Sequence, residues 1–202
     1  MKNSLIILAF FALGVFLGIG GDRGGWIPDG TDSMSTYVLY VLMGLVGFGI
    51  GGDTEALKVL KETNLKIMLV PLSVVFGSLG GAALVAVFIQ GLDLQEVLAV
   101  SAGFGYYSLS SIFITELRGE LPGTIALLAN ILREIITLLM TPLFVRWAGP
   151  LGPIASGGAT SMDTTLPIIS LYSGKQYVVI ALFSGMILTI VVPFLVPFIL
   201  NY

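Results

Sequence analysis

Arg133 and Glu134 stand side by side in a stretch that is otherwise uncharged, with 12 uncharged residues at 121–132 and 11 more at 135–145. A charge in the middle of such a run costs roughly 2.5–3.5 kcal/mol in a bilayer, so it is retained where it works or where it is paired. Asn130, Arg133, Glu134, Thr137 and Thr141 recur at i, i+3, i+4, i+7 and i+11. On a helix that spacing draws one polar stripe, with Leu and Ile on the other sides. The stripe must face protein or water. Neighbours at i and i+1 do not face each other, so Arg133 and Glu134 should find separate partners. The chain has no histidine, and any proton chemistry therefore falls to carboxylates such as Glu134. The plainer reading is an ion pair that only holds helices together.

Asp163 is the other carboxylate in an apolar context. Asp-Thr-Thr before an apolar run suits an N-cap for a short helix over 164–171, and such a helix start would also aim N–H groups into a site. Glu116 and Glu120 flank Arg118 and read as a solvated loop.

The elements that must position these groups follow from hydropathy. Only 10% of the 202 residues are charged and 56% are hydrophobic, with a mean hydropathy of +1.01. A soluble domain carries about 25% charge, so lipid must be the solvent here. Five runs are long enough to span a bilayer: 3–21, 34–52, 67–92, 121–145 and 176–202. The first lacks an A-x-A cleavage pattern and is expected to be retained. Pro193 and Pro197 should kink the last. The expected fold is an all-α polytopic membrane protein, with 1–202 as one transmembrane transporter domain.

Two more apolar segments, 94–117 and 154–172, are interrupted by Gly, Ser and Thr at 101–111 and 156–165. Such residues suit unwound backbone buried in protein, and paired interruptions point to a transporter site at the midplane. The breaks bring Ser108, Ser110, Ser161, Asp163, Thr164 and Thr165 beside the stripe as candidate binding or coupling groups. Lys58, Lys61 and Lys66 make their loop, and hence the N-terminus, cytoplasmic. Beyond residue 93 two topologies remain. If both segments cross, Arg118 is inside and Arg146 outside; if both are re-entrant, the two swap. Lys175 is inside and the C-terminus outside in either case.

No cysteine is present, which excludes thiolate metal sites and Fe–S clusters, and no basic run suggests nucleic acid. No metal or cofactor is expected. The chain has no P-loop, so it does not use ATP.

Gly103-Phe-Gly-Tyr-Tyr-Ser-Leu-Ser110, Arg133-Glu134 and Gly158-Ala-Thr-Ser-Met-Asp-Thr-Thr-Leu-Pro167 give the chain its likeness. It resembles the LysO family of bacterial lysine exporters, from about residue 4 to the end. The resemblance implies export of L-lysine across the inner membrane in exchange for a cation, with a proton the expected one. It implies an essential acidic residue in each half of the transporter, of which Glu134 is the one carried here. It covers the C-terminal two-thirds of a full-length member and implies a separate small membrane subunit that supplies the rest. A dimeric assembly is a further expectation. Lysine fits the residue types, because carboxylates attract its ammonium groups while Arg133 or helix N-termini hold its carboxylate. Other readings are a transporter of another amino acid or ion, or a channel or assembly subunit, under which Glu134→Gln should be harmless. An intramembrane hydrolase would have only Ser108 or Ser110 with Lys175, and the lack of His and Cys argues against it.

Overall fold

The computed structural model describes residues 65–202, together with Val41. The expected spans 3–21 and 34–52 and the loops carrying Arg23 and Lys58 lie outside the described residues. The described residues are helical throughout, without strands. A 3-10 turn at Leu65–Met68 leads into α1 (Leu69–Ala86); α2 (Leu94–Ser101), α3 (Tyr107–Arg118) and α4 (Glu120–Ala148) follow. After α5 (Gly152–Gly157) and a 3-10 turn at Gly158–Met162 come α6 (Leu166–Ser173), a second such turn at Lys175–Tyr177 and α7 (Val178–Asn201).

Among the described residues, α1, α4 and the stretch Lys175–Asn201 are long and apolar enough to cross a membrane. They match the expected spans at 67–92, 121–145 and 176–202, and the protein is an all-α, multi-pass membrane protein. Leu128, Leu132, Ile135 and Leu139 are exposed on α4, while Asn130, Thr137 and Thr141 are buried. The polar stripe therefore faces protein and the aliphatic face is left for lipid. Pro193 and Pro197 both lie inside α7, which is one helix.

The interrupted segments fold as helix, break, helix. Asp93 starts α2 with a reciprocal cap: its carboxylate accepts the Glu96 amide at 2.7 Å, and Glu96 accepts the Asp93 amide at 2.9 Å. At the far end of the segment Arg118 donates to Gln95 Oε1 at 2.7 Å and to the Leu200 carbonyl at 2.6 Å, and lies 3.9 Å from Asp93. The start of α2, the end of α3 and the end of α7 thus share one end of the bundle. Eight residues of α2 rise only about 12 Å, too short to cross a core of about 30 Å. The first segment goes in and comes back.

The second segment does the same from the other end. Ile154 before its break and Ile169 after it pack in one buried cluster with Val70 near the start of α1 and Ala181 near the start of α7. Of the two expected topologies, the contacts fit the re-entrant one.

Asp163 does not cap a helix. Helix α6 begins at Leu166 with Thr165 at the N-cap and no side-chain cap, instead of running over 164–171. The reason is local: Thr165 spends its hydroxyl on the Thr160 carbonyl at 2.9 Å, and its amide bonds the same oxygen at 3.0 Å, which holds 160–165 as a closed turn. Among the described residues the Asp163 carboxylate accepts only from Thr164, from its amide at 2.5 Å and its hydroxyl at 3.3 Å.

Candidate functional site

The two hairpin tips meet. The Ala159 amide donates to the Phe104 carbonyl at 2.8 Å, joining the first break to the second. Gly158 lies against the same carbonyl so closely that a Cβ there would fall 2.2 Å from the oxygen, and a Cβ on Gly105 would fall 3.0 Å from the Gly157 carbonyl. Gly105 and Gly158 also have positive φ, +94° and +63°, which glycine adopts without steric cost. Phe104 takes φ +45° as well, a strained conformation for a side chain, and it is fully buried.

Asn130 fixes the first tip. Its Oδ1 accepts the Gly105 amide at 2.7 Å, and its Nδ2 donates to the Val100 carbonyl at 3.1 Å and the Ala126 carbonyl at 2.8 Å. Arg133 fixes the second. Its Nε donates to the Ser156 carbonyl at 2.7 Å, one guanidinium nitrogen to Ala155 at 3.0 Å and the other to Ser78 Oγ at 3.2 Å. Ala155 and Ser156 lie in the last turn of α5, where helix carbonyls lack partners and the dipole is negative. Among the described residues no carboxylate lies within 4 Å of Arg133, so the guanidinium is satisfied by backbone and a hydroxyl rather than by Glu134.

Glu134 points its fate elsewhere. It takes part in no hydrogen bond or ion pair among the described residues, and it lines a cavity of about 270 Å³. The wall comes from the first break (Gly105, Tyr106, Tyr107, Ser108), the second break (Ala159, Thr160, Met162, Asp163, Thr164) and Thr189 of α7. Two carboxylates, Glu134 and Asp163, share this wall, and no Lys or Arg lies on it among the described residues. The start of α3, at Tyr107 and Ser108, lies on the same wall without a side-chain cap, which places the positive end of that helix there. The cavity can attract a cation and hold a carboxylate in one place.

The expected site residues divide in two. Glu134, Asp163, Ser108 and Thr164 come together on the cavity wall. Asn130, Arg133, Ser110, Ser161 and Thr165 do not line it; they hold the scaffold. Ser110 bonds the Tyr106 carbonyl at 2.9 Å, and Ser161 bonds Gly158 at 2.7 Å and Ala181 at 2.9 Å. Thr137 bonds Ser156 Oγ at 2.7 Å and adds to the grip on α5. Reasoning from sequence missed Thr160 and Thr189 as wall residues. Thr189 and Ser184 are the aliphatic hydroxyl residues of the uncharged span 176–202, and that alone does not mark either of them.

These features define a helical membrane protein with two opposed hairpins and an acidic cavity between their tips. The family model for lysine exporter LysO matches residues 8–200, and the chain belongs to that family. It is 34% identical over 196 residues to the lysine exporter LysO of Escherichia coli strain K12, across 97% of this chain and 64% of that protein. It is 32% identical over 181 residues to a putative lysine exporter of Haemophilus influenzae, across 86% of this chain and 90% of that one. The chain thus spans less than two-thirds of the E. coli relative's length. No solved structure matches it.

Proposed function

We propose that this protein exports L-lysine across the bacterial inner membrane in exchange for a cation, a proton being the coupling ion. The observation that carries the reading is Glu134, without a partner and sharing a cavity wall with Asp163, with no basic side chain there among the described residues. A carboxylate free of partners can alternate between a proton and an ammonium group. With Arg133 held by α5, the lysine carboxylate falls to the amides that open α3 rather than to the guanidinium. Lysine then lies with its charged ends between that helix start and the Glu134–Asp163 pair. The names of both relatives support lysine as the substrate.

The N-terminus is cytoplasmic in this reading, and 1–202 acts as one transporter domain. In this reading a separate small membrane subunit works together with this chain. Backbone carbonyls meet the Arg133 charge, so that residue calls for no acidic group from the subunit.

The test is flux. Inverted membrane vesicles loaded to an acid interior should accumulate labelled lysine, and collapse of the pH gradient should stop accumulation. Lysine flux indifferent to that gradient would overturn proton exchange. Proteoliposomes with this chain alone should be inactive until the small subunit is added; robust flux from the lone chain would refute the second subunit.

A further inference from the structure

We propose that the Thr189 hydroxyl is a ligand for the monovalent cation that the Glu134–Asp163 cavity takes up. This rests on the transport reading above and extends it to a residue on α7. Threonine inside a helix ordinarily gives its hydroxyl to the carbonyl four residues back, as Thr115, Thr137 and Thr141 do here at 2.8, 2.9 and 2.6 Å. Thr189 does not. Its Oγ1 is buried and has no hydrogen-bond partner, although the residue is only 3% exposed and belongs to the cavity wall. A buried hydroxyl without a partner is disfavoured, and of the three such hydroxyls among the described residues, on Ser173, Ser184 and Thr189, Thr189 is the one on this cavity wall. Threonine in a helix divides between two χ1 rotamers, and one hop exchanges methyl and hydroxyl at the wall.

The chemistry of the wall selects the ligand. Its other polar side chains are the carboxylates Glu134 and Asp163 and the hydroxyls of Ser108, Thr160 and Thr164. All offer oxygen, and the two acids give negative charge. An ammonium group of the substrate and an alkali-metal ion both take such oxygen ligands. Thr189 sits near the middle of α7, as Glu134 sits near the middle of α4, which puts both hydroxyl and carboxylate at the depth where the hairpin tips meet.

The experiment measures thermal stabilisation of the full chain, together with the small subunit of the reading above, in lipid nanodiscs by lysine, and separately by sodium chloride with choline chloride as control. Thr189→Val keeps the shape and removes the hydroxyl; Thr189→Ser keeps the hydroxyl. The valine variant should need about tenfold more ligand for the same shift, the loss expected for one hydrogen bond to a charged group, while serine behaves as wild type. Loss of the lysine response identifies the substrate's ammonium group, and loss of the sodium response alone identifies a metal cation. A valine variant that responds as wild type to both overturns the role of Thr189 and leaves lysine transport standing. A wild-type protein stabilised by neither ligand overturns this proposal together with the lysine reading.

Discussion

Arg133 and Glu134 are adjacent in sequence and about 100° apart around α4, and the protein treats them in opposite ways. Arg133 makes three hydrogen bonds and ties α5 to α4 and α1. Glu134 makes none and looks into a cavity. A charge held by three hydrogen bonds builds structure, whereas one without a partner is available for exchange. A mutation at each should therefore be read by a different instrument: stability for the arginine, transport for the glutamate.

The largest effect is expected at Glu134. Glu134→Gln should reduce labelled-lysine export to background while expression level and melting temperature stay as in the wild type. Export at wild-type rate would leave Glu134 a bystander and erase the contrast. Next in size is the tip contact. Gly158→Ala places a Cβ against the Phe104 carbonyl and forces φ +63° on a side chain. The backbone term alone costs about 1–2 kcal/mol, and the clash adds to it, so the yield of folded protein should fall sharply.

Arg133→Met tests the structural half of the comparison. It should lower stability by about 2–3 kcal/mol, since two α5 carbonyls and Ser78 lose a charged donor. Arg133→Lys should restore only part of this, because an ammonium cannot reproduce the planar fork. A methionine variant that melts as the wild type but fails to bind lysine would move Arg133 into the site. The smallest effect belongs to Thr137→Val, which removes one hydroxyl bond to Ser156 and should cost about 1 kcal/mol with transport unchanged.

Hydropathy and helical spacing disclosed much of the architecture. The spans at 67–92, 121–145 and 176–202, the stripe on α4 and both breaks were legible because each depends on local composition. What Arg133 binds was not legible, since two of its three partners are backbone carbonyls and these have no sequence identity. The capping role expected for Asp163 failed because Thr165 competes for the same turn through a bond to Thr160. Thr189 escaped notice for a related reason: a threonine in a helix has a default partner one turn back, and only the fold reveals that this bond is absent. The direction of the interrupted segments needed a contact distant in sequence, that of Arg118 with Leu200.

The meeting of the hairpins at Phe104 and Ala159 has an electrical consequence. The partition there is one backbone against another, joined by a bond of 2.8 Å. Where water reaches such a partition from both sides, the membrane voltage drops across it rather than across the full thickness of lipid. A charge passing the tips then meets nearly the whole field in a very short step, worth about 2.3 kcal/mol per elementary charge at 100 mV. Lysine carries one net positive charge, so exchange for one proton moves no charge and exchange for two does. The slope of flux against imposed voltage would count the protons.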